Sequence, residues 1–518
     1  MKKNIIKFIV IITGIIGNSF AQVEEIYWSE NKFELSEKKE VHKLLGGLDE
    51  NYYVFSVSKS FNTNYSIKAY DYENQLNYNR SFSEEIKMKT GLTPHNVLNI
   101  DNQTYVFFTN VIKKKVEIYY LKINTISPYK EKIKKLTEVD LPFSNTTTLF
   151  GGNGIGFVIN STLPYNDRNK LIRLSKDKSK IIILNPSSFS NKKENNKIKY
   201  FIYDKLLNLI SQKQLYIIGT SLEKEEEFNI IQTEFSEDNQ LNILCSKTKI
   251  GKEVCKGCSS NEFYLLKEFD SNIKAINIDN NKNYDLINGC ISLKNENIYI
   301  AGNYTDKNDK SIYAEGNYFI KLNKLSDIEF SNFFPFESRL LIEYKEKTEK
   351  DKSNNISNIN QNSFSLLSND KHFYFSYESG LSNIVIFTFK EKGELFEYNY
   401  IKRKIDVKTN TELNQGILSI NSKIDSNNNF NLQYTYFLNK KECEKMKLEY
   451  NKAVANYNFK IDHRTNKNSK NLIFVNRIKN SNFKQSNYLF PPLKVENNTH
   501  LFFGIFSFGN NFGFCKIP

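Results

Sequence analysis

One pattern runs almost from end to end of the chain: a short polar turn rich in Asn and Asp, followed at once by β-branched and aromatic residues. Asp49-Glu50-Asn51 precedes Tyr52-Tyr53-Val54-Phe55, and Asp101-Asn102-Gln103 precedes Tyr105-Val106-Phe107-Phe108. Equivalent turns stand before Ile181, Leu241, Ile298, Phe373, Phe430 and Leu501, with a weaker copy, Gly151-Gly152-Asn153-Gly154, before Ile155. Asn and Asp accept left-handed backbone and close tight turns. The residues after each turn suit a pleated, half-buried strand. The onsets lie 50 to 75 residues apart, except for 26 between Ile155 and Ile181.

That period fits a unit of four short strands plus loops. One unit reads as strands at 228–235, 241–245, 262–266 and 273–278, and its neighbour as 287–293, 298–304, 318–322 and 328–333. Four-stranded units repeated radially are propeller blades. The expected fold is therefore all-β: a β-propeller of seven or eight four-stranded blades with short helical insertions. Residues 22–518 would form a single domain, with a strand at 26–35 (including Trp28, the single Trp) completing the last blade and removing exposed edges. The competing architecture is two smaller all-β domains, split at the polar Lys/Asn/Ser segment 345–362. Insertions are expected near 336–362 and 439–470. In the second, Asn439 and Glu442 have capping-box spacing, and Cys443, Met446, Tyr450, Ala453 and Tyr457 share one helical face. A shorter helix is expected over 336–347.

The first 21 residues read as a secretory signal. Lys2, Lys3 and Lys7 precede an apolar run, and small residues, Ser19 and Ala21, end it. The run is shorter than the ~20 residues of a comfortable span, so cleavage after Ala21 is favoured over a retained anchor, and no integral membrane segment is expected afterwards. The protein is then exported, to the periplasm, the outer-membrane surface or the extracellular space. The formal charge of +14 falls to +11 without those three lysines. The remaining Lys residues interleave with Glu, as in Glu343-Tyr344-Lys345-Glu346-Lys347, which marks solvated faces and not a nucleic-acid groove.

The segment Leu171-Ile172-Arg173-Leu174-Ser175-Lys176-Asp177, with Phe201-Ile202-Tyr203-Asp204 and Ala314-Glu315-Gly316-Asn317-Tyr318-Phe319-Ile320 downstream, resembles uncharacterised secreted propeller-like proteins of Gram-negative bacteria. The resemblance covers 171–333. It implies fold and export and carries over no functional residue.

The sharpest chemical motif is Cys255-Lys256-Gly257-Cys258. In an oxidising compartment a loop disulfide between Cys255 and Cys258 is the simplest outcome. A zinc site would need two more ligands, with Cys245 and Cys290 nearest. Redox catalysis ranks third, because the motif lies between strands and not at a helix start. Cys443 and Cys515 read as buried thiols or a long-range pair. The five His residues (His42, His95, His372, His463, His500) show no metal spacing. Asp279 to Asp285 has alternating oxygen groups but lacks the Gly and Glu of a calcium loop; it and 425–429 read as solvated turns. Gly-x-Ser-x-Gly, repeated Asp boxes and Trp-docking motifs are missing. No catalytic, cofactor or metal residue is assigned. The expected function is a non-enzymatic propeller that binds a protein or glycan; the alternative is a hydrolase or lyase acting on an extracellular polymer through acidic residues in the channel. Oligomeric state is not legible.

Overall fold

A computed structural model describes the strands between residues 33 and 516, one helix and most of the short turns. Residues 1–32, 82–92, 141–170, 250–261, 338–359, 404–419 and 478–486 are the longest stretches outside the described residues.

The strands form eight blades, each built around four antiparallel strands, and the first seven are each made from consecutive chain. Blade 1 spans 40–81, blade 2 93–140, blade 3 172–218, blade 4 226–277, blade 5 284–335, blade 6 360–401 and blade 7 421–477. Blade 8 takes its inner strands from 487–516. Its outermost strand comes from the opposite end of the chain: Phe33 pairs with Phe512 and Glu34 with Asn511. The first strand of a blade touches the first strand of the next between blades 1 and 2, 2 and 3, 4 and 5, 5 and 6, and 6 and 7, and blade 8 touches blade 1 in the same way. First strands therefore line the hub, and the eight-bladed β-propeller follows from the strand order and these contacts.

Every strong turn signal in the sequence proves to be the hairpin between the first and second strands of a blade. Tyr52, Tyr105, Ile181, Leu241, Ile298, Phe373, Phe430 and Leu501 each lie at the start of a second strand. The weak copy before Ile155 lies outside the described residues. Lys178, Asn239 and Asn428 take left-handed backbone in these turns, with φ near +60°, as tight hairpin loops often require.

Central strands differ from expectation in one respect: where their burial is described in blade 6, they are covered on both faces. His372–Ser379 is buried at all positions, and Asn383–Lys390 at all but Lys390. A central strand sandwiched between two neighbouring blades must be apolar throughout, which explains runs such as Phe373-Tyr374-Phe375. Each core fills the space between consecutive blades. Tyr299, Phe319, Phe373, Phe375, Phe387 and Phe389 join blade 5 to blade 6, and Phe319 stacks on Phe389 with centroids 4.6 Å apart. This core joins residues from both sides of segment 345–362.

Blades 3 and 4 are joined a second time at the rim. Their outermost strands pair in parallel, Tyr216–Ile218 against Asn272–Lys274, making one nine-stranded sheet. Beneath that seam, the buried Glu268 carboxylate of blade 4 accepts hydrogen bonds from Tyr200 Oη (2.7 Å), Lys213 Nζ (2.7 Å) and the Leu241 amide (2.8 Å).

One helix is described, α1 (Lys440–Lys445), between the second and third strands of blade 7. Its capping box is formed: the Glu442 amide donates to Asn439 Oδ1, and the Asn439 amide donates to Glu442. The helix is shorter than its periodicity suggests. Ala453 and Tyr457 lie in the strand Ala453–Ile461, where Ala455, Tyr457, Phe459 and Ile461 alternate with Asn456, Asn458 and Lys460. A period of two wins there because blade 7 needs its third strand. The helix expected over 336–347 lies mostly outside the described residues; Phe336 is buried in the blade 5–6 core.

Several turns are tied by carboxylates. Asp425 Oδ1 accepts from the Asn427 and Asn429 amides, both at 2.9 Å. Asp204 and Asp462 make the same kind of turn between third and fourth strands. Burial pushes the Asp425 pKa up, but hydrogen bonds from Asn429 and Asn431 outweigh it and leave it lowered. Asp204 and Asp462 are also lowered, by hydrogen bonds to Asn208 and to Thr465 respectively. His372 is lowered by burial first and then by the cations Lys371, His463, Lys390 and Lys294. Two acid-loss windows follow. An unfolded His takes its proton near pH ~6.5 while folded His372 resists, so stability falls as pH drops below that value. The turn carboxylates hold their contribution above pH ~4 and lose it as pH falls through their lowered folded values. Urea midpoints measured from pH 8 to pH 2 should fall in two steps. His372→Leu should flatten the upper step and Asp425→Asn the lower; a single step unaffected by either would contradict this.

Candidate functional site

The two faces of the ring are built differently. First-to-second and third-to-fourth connections meet on one face and are mostly short, as in Leu48 to Asn51 or Lys294 to Asn297. The exception among the described blades is 123–133. Second-to-third connections, and those leading to the next blade, emerge on the other face. These include 141–171, 185–196, 250–261, 336–359, 402–420 and 439–452. The longer connections therefore start and end on one face, here called the open face.

At the open ends of blades 5 and 6 the blades hold polar groups in their interior. Asn303 Nδ2 donates to Asn317 Oδ1 at 2.7 Å, and the Asn303 amide donates to Asn288 Oδ1 at 2.9 Å. Tyr377 Oη of blade 6 reaches the same Asn317 oxygen at 3.3 Å, and Tyr318 Oη donates to the Asn288 carbonyl at 2.7 Å. Asn303 and Asn317 are fully buried. Gly302 is required here, because a Cβ would sit 2.0 Å from the Asn288 carbonyl oxygen and 2.5 Å from Tyr318 Oη. Tyr377 and Glu378 are successive residues of one strand, so their side chains point to opposite faces. Glu378 bonds Arg403 Nη2. Arg403 is 0% exposed, and its amide donates to Asn383 Oδ1 at 3.2 Å. Burial draws the guanidinium pKa below its usual value and Glu378 opposes the shift. Arg403 stands where blade 6 ends and connection 404–419 begins. The pair therefore anchors an open-face connection to the blade interior. It is closed to solvent, so its role is to position chain, not to touch a substrate.

Cys255 and Cys258 lie outside the described residues. Cys245 and Cys290 are buried, Cys245 in the blade 3–4 core and Cys290 in the blade 5–6 core. Burial raises the Cys245 pKa well above a usual thiol. Cys443 is buried under α1 with Leu438 and Ala455. Among the described residues no group of His, Cys, Asp and Glu is arranged to hold a metal ion. At the calcium-like segment, the Asp279 amide donates to Asn277 Oδ1 at 2.8 Å.

The structure does bring together His372 and His463, which are 91 residues apart in sequence. They meet at the blade 6–7 seam on the tight face, where Asn369 Nδ2 lies 3.3 Å from His463 Nδ1 and 2.9 Å from the Asn428 carbonyl. Sequence reasoning missed Arg403, Glu378, Asn303 and Asn317. The usable signal was positional: Arg403 follows directly on the fourth strand of a repeat, where the chain turns onto the open face.

No family model and no curated protein matches the chain. Among solved structures, a polysaccharide lyase (an ulvan lyase) aligns over 82% of this chain and 91% of its own, at 7% identity and a TM-score of 0.39. An uncharacterised protein of Listeria monocytogenes EGD-e aligns over 81% and 93%, at 11% identity and 0.38. A prolyl endopeptidase aligns over 90% of this chain at 8% identity and 0.34; this chain spans about half of its length, 53%. Among the described residues no helix is long and apolar enough to cross a membrane.

Proposed function

We propose that the chain is an exported, non-enzymatic propeller that binds a protein or glycan at the cell envelope or outside the cell, through its open face. The supporting observation is the asymmetry of the ring: the longer connections start and end on one face, and Arg403–Glu378 anchors one of them. Loops placed by a rigid scaffold are where binding surfaces arise. Among the described residues, Glu397 is the one carboxyl group whose shift suits the general acid of a hydrolase. Among the described carboxylates with a clear shift, Glu117, Glu138, Asp177, Asp204, Glu394, Asp425 and Asp462 are lowered. Only Glu397, on an outermost strand, is raised, by burial. A general acid needs a raised carboxyl.

Export has a direct test: amino-terminal sequencing of the mature protein should begin at Gln22 in an extracytoplasmic fraction, and a chain kept inside with Met1 intact would refute it. For the face, connection 404–419 is replaced by a Gly/Ser linker and the purified chain is applied to envelope fractions and a glycan array. Binding should fall at least tenfold with the urea midpoint unchanged. Binding lost instead on altering the tight-face turn 425–429 would reverse the assignment. Release of new chain ends from an anionic polysaccharide would favour the enzymatic reading.

A further inference from the structure

Blade 7 carries three tyrosines around one cation. Lys470 Nζ lies 3.9 Å from the ring centroid of Tyr457, 5.4 Å from Tyr436 and 5.6 Å from Tyr434. Tyr434 stacks on Tyr457 with centroids 5.7 Å apart and planes inclined by 24°. Tyr436 meets Tyr457 edge-on at 6.1 Å and 89°. Two stacked rings and one perpendicular ring make a box whose electron-rich faces suit an ammonium group.

The box is held by groups other than Lys470. Tyr434 is buried in the blade 6–7 core. Tyr436 Oη donates to Glu442 Oε1 at 2.8 Å, and the other oxygen of Glu442 is fixed by the Asn439 amide in the capping box of α1. The rings therefore keep their places when the lysine leaves. Glu442 also sets a negative charge at the edge of the box, which favours a cation over a neutral sugar. Lys470 makes no ion pair among the described residues, and it sits on the fourth, outermost strand of the blade, Asn468–Arg477, which is exposed from Asn468 to Asn471. Its four-carbon stem can swing the ammonium into water without disturbing the sheet. Burial draws the Lys470 pKa below its usual value, with Glu442 opposing.

We propose that the Tyr434–Tyr436–Tyr457 box is a binding site for an external ammonium group, and that Lys470 is its internal plug. Since the box already holds a lysyl ammonium, the group is assigned to a lysine side chain of a protein partner, and preference for an amino sugar would overturn that assignment. This inference does not rest on the open-face reading, because the box lies on the side of blade 7.

The test titrates the full mature chain with tetramethylammonium while following tyrosine ring resonances by NMR. Separate arms use Nα-acetyl-lysine amide and glucosamine to distinguish the two sources. The wild-type chain should show saturable shifts, Lys470→Ala should tighten binding at least tenfold, and Tyr457→Leu should remove it. Should Tyr457→Leu fail to fold, as judged by circular dichroism, Tyr436→Leu replaces it. A wild-type chain without saturable shifts would overturn the proposal, even if Lys470→Ala binds, since the box would then be only a seat for its own lysine. So would binding that survives loss of a ring, or that does not change in Lys470→Ala.

Discussion

Arg403→Met is expected to cost about 3 to 5 kcal/mol of stability, read as a lower urea midpoint with unchanged slope. The variant fills most of the volume but leaves the Glu378 carboxylate buried and unpaired, and Arg403 has no exposed surface through which water could replace it. Glu378→Leu should cost a similar amount for the opposite reason, since it strands a guanidinium in the same interior. The double variant should recover most of the loss, because two apolar groups need no partner and desolvating the pair already offsets much of its attraction. The cycle would therefore show a coupling of several kcal/mol between two residues that add little net stability as a pair. Single variants within about 1 kcal/mol of wild type would mean that the pair is solvated. A double variant worse than the sum of the singles would mean that its geometry, and not its charge, holds the blade.

That pair also marks where the sequence stops being readable. The eight hairpin signals were legible because a tight turn favours Asn, Asp or a similar residue at a left-handed position, and that need is local. Blade count and phase follow from it. The double-sided burial of His372–Ser379 was not legible, since packing on both faces erases the alternation that local reasoning relies on. Arg403 stands between Lys402 and Lys404, which reads as a solvated basic run, and only its place at the end of a blade turns it inward. The tyrosine box draws Tyr434 and Tyr436 from one strand, Tyr457 from the next and Lys470 from a third, so no single window contains it. The helix after Asn439 was legible at its start, where the cap is local, and was overextended at its end, where blade 7 required a strand.

Deleting residues through Ser36 from the mature chain should lower the thermal midpoint and make the protein associate. In a linear array each unit is stabilised by its neighbours, and the end units lack one. A ring removes that deficit, but only if its last unit is complete. Blade 8 is completed by Phe33–Glu34 lying against Asn511–Lys516. Without that strand, Asn511–Lys516 becomes an edge with unpaired amides and carbonyls, and its alternate Phe512 and Phe514 make it a template for a second chain. The expected outcome is a loss of a few kcal/mol, of the order that destabilised edges show, and a concentration-dependent dimer or larger species in analytical ultracentrifugation. A synthetic peptide of residues 26–35 should restore both the midpoint and the monomer by strand addition in trans. A peptide with Phe33 and Glu34 both replaced by Pro, which cannot donate to the ladder, should not. A truncated chain that stays monomeric and melts at the wild-type temperature would show that blade 8 closes against blade 1 through its inner strand alone, where Leu493–Lys494 already touches Glu40–Leu48.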